Sequence, residues 1–171
     1  DGSVIVSYSA DSYGMYGNMH RHVGGKHAKG EMRKVYEWDT NKFLGEIPQA
    51  EITYNVVGQM NSNQVTITET TFGGREELVD TTGVIDYGSL IYITLERATS
   101  ARHAIKIMTD LVAEYGYYSS GESFTIADKN EAWIMEMIGK GGKEKGAVWV
   151  AIRIPDEIGR ASCRERVSAR V

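Results

Sequence analysis

Between Ala101 and Tyr115 the apolar residues Ala101, Ala104, Ile105, Met108, Leu111, Val112 and Tyr115 recur at steps of three or four, or of one within a pair. That period paints a single apolar stripe along a helix. Thr99 or Ser100 can cap its start, and Gly116 stops it at the C′ position. A helix with one apolar face must lay it on another layer. The chain supplies that layer directly afterwards. "SFTIAD", "EAWIMEMIG" and "GAVWVAIRI" are three strand-like runs joined by "DKN" and "KGGKEKG". Their continuous apolar character predicts strands buried on both faces.

The rest of the chain extends this pattern. In "GSVIVSYSAD", Val4, Val6 and Tyr8 alternate with Ile5, Ser7 and Ser9, which predicts a strand. The Gly- and His-rich "DSYGMYGNMHRHVGGKHAKGEM" has no period and reads as a long loop. "MRKVYEWDTNKFLGEIPQ" reads as a short strand, a turn at Asp39–Asn41 and a connector. "ITYNVVGQMNSNQVTITETTFGG" reads as two strands around a turn at Asn61–Asn63. Tyr87–Arg97 fits a second helix, although "LIYITL" alone fits a strand. The order is then β, β–β, α–α, β–β–β, an α+β arrangement with no internal repeat and no interdomain linker.

Composition narrows the function classes. The 171 residues suffice for one domain with a core; 42% are apolar and 25% charged, ordinary for a globular domain. A net charge of −4 argues against nucleic acid as a partner, which calls for a basic patch. No run approaches the roughly 20 apolar residues of a membrane span. Cys163 is the sole cysteine, so no internal disulfide forms and the redox compartment is not legible. Residues 158–171 carry four arginines against Glu165, which leaves −7 on residues 1–157. This stretch has neither period nor turn logic. "IGRASCRERV" resembles one translated frame of a common sequencing adapter, and 158–171 is expected to be a non-native tail; a basic interaction tail is the other reading.

Several stretches together carry a family resemblance: "DGSVIVSYSADSYGMYG", "VYEWDT", "TYNVVGQMNSNQVTITETTFGGR", "DYGSLIYITLERATSARHAIKIM", "YGYYSSGESFTIADKNEAWIMEMIGK" and "GAVWVAIRIPD". In order and spacing they resemble the C69 family of dipeptidases, continuously from Asp1 to about Asp156. The resemblance implies a four-layer αββα sandwich of the N-terminal nucleophile hydrolase type, here incomplete, with residues 1–157 its front part. It also implies a Cys-Thr start ahead of "AS-x-DGS". The nucleophile would then lie about ten residues, one short strand, before Asp1. Sheets lacking neighbouring strands would expose their edges. The implied reaction is hydrolysis of a dipeptide through the cysteine thiolate and an acyl-enzyme, with no cofactor and no metal.

The same resemblance nominates site residues. Asp11 follows the predicted strand where the wider superfamily places an Asp that contacts the nucleophile's amino group; a turn residue before "SYG" is the alternative. Tyr8 stands where that pattern has Arg. On "ITETTFGG", Glu69, Thr70 and Thr71 stand where relatives carry an oxyanion-donating Asn. An ionised Glu cannot donate, so Thr70, Thr71 or a backbone N–H would serve. Glu69 can instead take the free amino group of a dipeptide.

Other features read as structural. Asn61 and Asn63 suit a turn that tolerates positive φ. His20, His22 and His27 lack further ligands at zinc spacing and read as solvated loop residues. "GKGGKEKG" reads as a flexible hairpin loop. Trp133, Met135, Met137 and Trp149 read as core, and Cys163 lies in the tail. A non-catalytic α+β binding domain, or an acylase on other amides, remains open beside the peptidase, as do a homo-oligomer and the compartment.

Overall fold

The computed structural model describes residues 2–9 and 19–157. Asp11 and the 158–171 segment lie outside the described residues. A seven-stranded antiparallel sheet carries two helices on one face, and a separate two-stranded hairpin leans against the first helix. The mixture is α+β, as the pattern of runs predicts.

In chain order the elements are β1 (Arg21–His22), β2 (Met32–Tyr36), β3 (Phe43–Pro48), β4 (Val56–Val57), β5 (Met60–Asn61), β6 (Thr66–Gly73), α1 (Tyr87–Leu95), α2 (Ala101–Tyr115), β7 (Gly121–Ala127), β8 (Ala132–Gly139) and β9 (Ala147–Arg153). The large sheet runs β1-β4-β5-β6-β7-β8-β9, and β2 pairs with β3. The three C-terminal runs are strands, and "KGGKEKG" is the loop between β8 and β9.

The helix period holds in detail. Ala101, Ala104, Met108, Leu111 and Val112 of α2 are buried. Ser100 is the cap, accepting from the His103 N–H at 3.2 Å. Gly116 ends the helix at φ +80°, where a Cβ would lie 2.6 Å from Asp80 Oδ2. In α1, "LIYITL" is helical despite its β-branched residues. Leu90, Ile91, Tyr92, Ile93 and Leu95 are all buried, so the helix is enclosed on every side and packing overrides the weak strand propensity. Asp86 starts it, accepting from Ser89 N–H at 3.2 Å and from Trp38 N–H at 2.9 Å. That one carboxylate, raised by burial against the pull of its hydrogen bonds, ties the β2–β3 hairpin to the helix.

Five expectations are corrected. Residues 2–9 form no strand: Val4 and Val6 are half-buried as the alternation predicts, but Ile5 is 86% exposed and no ladder accepts the segment. Alternation orients side chains; hydrogen bonding to a free edge makes the strand. The "connector" at 43–48 is β3, paired with β2 from Met32↔Pro48 to Tyr36↔Phe43. The long loop contains β1, which pairs with β4. β9 is not buried on both faces, because the helices cover only one side of the sheet. Val148, Val150 and Ile152 are 60%, 51% and 65% exposed on its other face. Trp149 on this edge strand is 46% exposed, whereas Met135 and Met137 on β8 are core.

Asn61 is structural for a reason other than the expected one. It sits in β5, 4% exposed, while the positive φ belongs to Gln64. Its Nδ2 donates to the carbonyls of Leu95 (2.7 Å) and Ala98 (2.8 Å), and its Oδ1 accepts from Asn63 and Val65 N–H. One amide thus closes the β5–β6 turn and fastens it to the α1–α2 junction.

Candidate functional site

The register of β6 against β7 builds the site. Glu69 pairs with Phe124 and Thr71 with Glu122. Residues directly opposite share a face, so Glu69, Thr71, Phe124 and Glu122 all point toward the helix side. Glu69 and Glu122 are diagonal neighbours, with Cα atoms about 7–8 Å apart by ladder geometry, within reach of long side chains. Thr70 projects from the opposite face, where it pairs with Ser123.

The ladder closes beside this pair. Register shifts between Thr71 and Gly73, and Gly73 sits at φ +82°. Opposite, a Cβ on Gly121 would meet the Gly73 carbonyl oxygen at 2.3 Å. This close crossing, open only to glycine, turns Glu122 inward. Glu122 is 1% exposed. Its Oε1 accepts from the Thr71 hydroxyl at 2.9 Å, while Oε2 has no hydrogen-bond donor among the described residues. Burial pushes its pKa up to about 8, against the Thr71 hydrogen bond, with the charge and direct contact of Glu69 raising it further and Asp39 adding to the effect.

Tyrosines ring the pair. The Tyr8 hydroxyl donates to Glu69 Oε1 at 2.8 Å, and the Tyr87 hydroxyl, at the start of α1, donates to Asp39 Oδ1 at 3.0 Å. Burial raises both phenols well above their ordinary range; neighbouring carboxylates add to it, Glu69 by its hydrogen bond to Tyr8 and Asp39 beside Tyr87. Both therefore stay protonated donors at neutral pH. The structure thus brings Tyr8, Glu69 and Thr71 together around Glu122 and turns Thr70 away.

Glu122 is the residue that sequence reasoning missed. A signal was present: Glu122 stands in phase with Phe124 and Ile126, which places a carboxylate on an apolar strand face. Its partner lies 51 residues away at Thr71, and no local pattern announces that pairing.

The histidines are packed rather than merely solvated. His20 meets the rings of Trp38 and Tyr92 edge-on at 4.9 and 5.9 Å, and Trp38 stacks on Tyr92 at 4.8 Å. His22 lies 5.1 Å from the Tyr92 ring and 3.4 Å from Glu96 Oε1; burial lowers its pKa and Glu96 partly restores it. Arg33 pairs with the other oxygen of Glu96. His20, His22, Arg33, Trp38 and Tyr92 line an open cavity of about 340 Å³ between the hairpin and α1. His27 bridges Glu31 and Thr53 instead. No cluster of three or more His, Cys, Asp or Glu suited to a metal occurs among the described residues. No described helix is long and apolar enough to cross a membrane.

Fold and site together define an α+β domain with an acidic, hydroxyl-ringed site at the strand ends of its sheet. The chain belongs to peptidase family C69, whose model it matches over residues 26–165. It is 35% identical over 69 residues to a protein named "Probable dipeptidase" from Latilactobacillus sakei. That stretch is 40% of this chain and 13% of the relative's length.

Proposed function

We propose that this chain is the front part of a cysteine dipeptidase, and that the Tyr8–Glu69–Thr71–Glu122 group recognises the substrate's free amino end. The family membership and the relative's name support the class of reaction. The observation that carries the recognition step is a carboxyl pair at the ends of β6 and β7, Glu122 buried and Glu69 half-buried, with no basic partner among the described residues. A dipeptide offers a compact ammonium with three donors, and carboxylates are its natural acceptors.

In this reading the nucleophile is an N-terminal cysteine ahead of Asp1. Its α-amino group, with an ordinary pKa near 8, takes the thiol proton. The thiolate attacks the peptide carbonyl, the leaving amine collects the proton, and water releases the acyl group. Asp11 would hold the cysteine's amino group, and Thr70, Thr71 or a backbone N–H would face the oxyanion. Thr71 shares a strand face with Glu69 and Glu122 but already donates its one hydroxyl proton to Glu122, and Thr70 points to the opposite face, so a backbone N–H is the better candidate.

The test is an assay on alanylalanine. Residues 1–171 should show no turnover above a blank, whereas a form extended upstream to the processed cysteine and downstream to full length should cleave it. Turnover by 1–171, or by an extended form with that cysteine changed to alanine, would refute the mechanism.

A further inference from the structure

The oxygen that matters is Glu122 Oε2. The side chain is 1% exposed, its other oxygen is taken by Thr71, and Oε2 meets no donor among the described residues. Its diagonal neighbour on the same sheet face is Glu69, half-buried on the adjoining strand and already accepting from Tyr8 at one oxygen, and interaction with that carboxylate pushes the Glu122 carboxyl up. Two carboxylates in contact hold each other only if a proton lies between them, since neither can donate when ionised.

The surroundings sharpen this. Asp39 from the hairpin adds negative charge, and the phenols of Tyr8, Tyr87 and Tyr117 complete the groups that feel Glu122. Among the described residues neither Glu69 nor Glu122 forms an ion pair with Lys, Arg or His. A largely buried acidic pair with no cationic side chain paired to it among the described residues suits a cation from outside, and no cluster of three or more metal-ligating side chains occurs among those residues.

We propose that Glu69 and Glu122 share a single proton and that a primary ammonium group displaces it, so that the site binds its ligand with release of one proton to solvent. The charge balances. The pair begins at −1, the ammonium brings +1, and the complex of a −2 pair with the cation leaves one H⁺ in water. Its link to dipeptides rests on the function proposed above; the proton exchange does not. The raised Glu122 carboxyl agrees with a proton resident at neutral pH.

The experiment is a carboxyl ¹³C NMR titration of Glu122 in residues 1–171, with ethylammonium chloride as probe. Ethylammonium keeps its charge through the range where Glu122 titrates. The Glu122 midpoint should fall as ethylammonium rises, by about one pH unit per tenfold increase above its dissociation constant. Tetramethylammonium chloride, which has no N–H, should leave the midpoint in place at equal ionic strength. Glu69→Gln should abolish the response while the spectrum stays folded. An unmoved midpoint, an equal effect of tetramethylammonium, or a larger effect of magnesium chloride would overturn the proposal. If the titration behaves as expected but the extended protein cleaves no dipeptide, the ammonium site stands and the peptidase reading falls.

Discussion

At the scale of single residues, Glu122 combines two roles that pull apart. Its burial anchors the end of β7, and its ionisation works against that burial. The folded carboxyl titrates near 8 against 4.5 for the free group. Between those values the folded state holds a proton that the unfolded chain has lost. Stability therefore declines as pH rises through this window. Glu122→Gln keeps the shape, accepts from Thr71 and donates to Glu69 without titrating. The variant should match the parent near pH 4.5 and exceed it at pH 8 by on the order of 5 °C in melting temperature. Thermal melts from pH 4.5 to 8 check this; a gap that stays constant or closes would contradict it. Little of this was legible in advance. Glu69 and Thr71 stood out because they lie on one recognisable strand end, whereas Glu122 needed the register of a strand pair separated by both helices.

At the scale of elements, periodicity was the reliable guide where a run is long and finds a partner. The α2 stripe, its Ser100 cap and its Gly116 stop are written in consecutive residues, and the structure follows them. The apolar runs of β7 and β8 likewise name their own elements. Local pattern was insufficient where formation depends on a distant edge. Val4 to Ser9 alternates but joins no strand ladder among the described residues, and β1, β4 and β5 are too short to leave a period. Asn61 shows how such short strands persist. Its amide supplies the bonds that β4 and β5 cannot, joining the turn to the last carbonyl of α1 and to that of Ala98 in the α1–α2 connection. Asn61→Ala would leave the Leu95 carbonyl without its Asn61 donor, the Ala98 carbonyl with Asn63 alone, and the Asn63 and Val65 N–H groups without their acceptor, at a cost of about 2–4 kcal/mol. The melting temperature should fall by roughly 5–10 °C. A fall under 2 °C in calorimetry would show that the turn is held some other way.

At the scale of the whole molecule, the helices cover one face of the sheet, and the far face of β9 is exposed and apolar. The acidic pair lies on the helix side, where burial raises the carboxyl and the hairpin contributes Asp39. The β2–β3 hairpin, unexpected in its second strand, is what carries Asp39 and Trp38 to the start of α1. The family was legible from the order of motifs. The site was legible in part, because its chemistry is spread over four separate segments that only the sheet and the hairpin assemble.

The central claim is that this family C69 chain reads the free amine of its substrate through the Glu69–Glu122 pair. The most direct measurement is kcat/KM of the protein extended at both ends for alanylalanine against N-acetyl-alanylalanine, repeated with Glu69→Gln. The account predicts at least about a 100-fold preference for the free amine, equivalent to nearly 3 kcal/mol, largely lost in the variant through KM. Equal cleavage of the acetylated compound, or a preference untouched by Glu69→Gln, would contradict it.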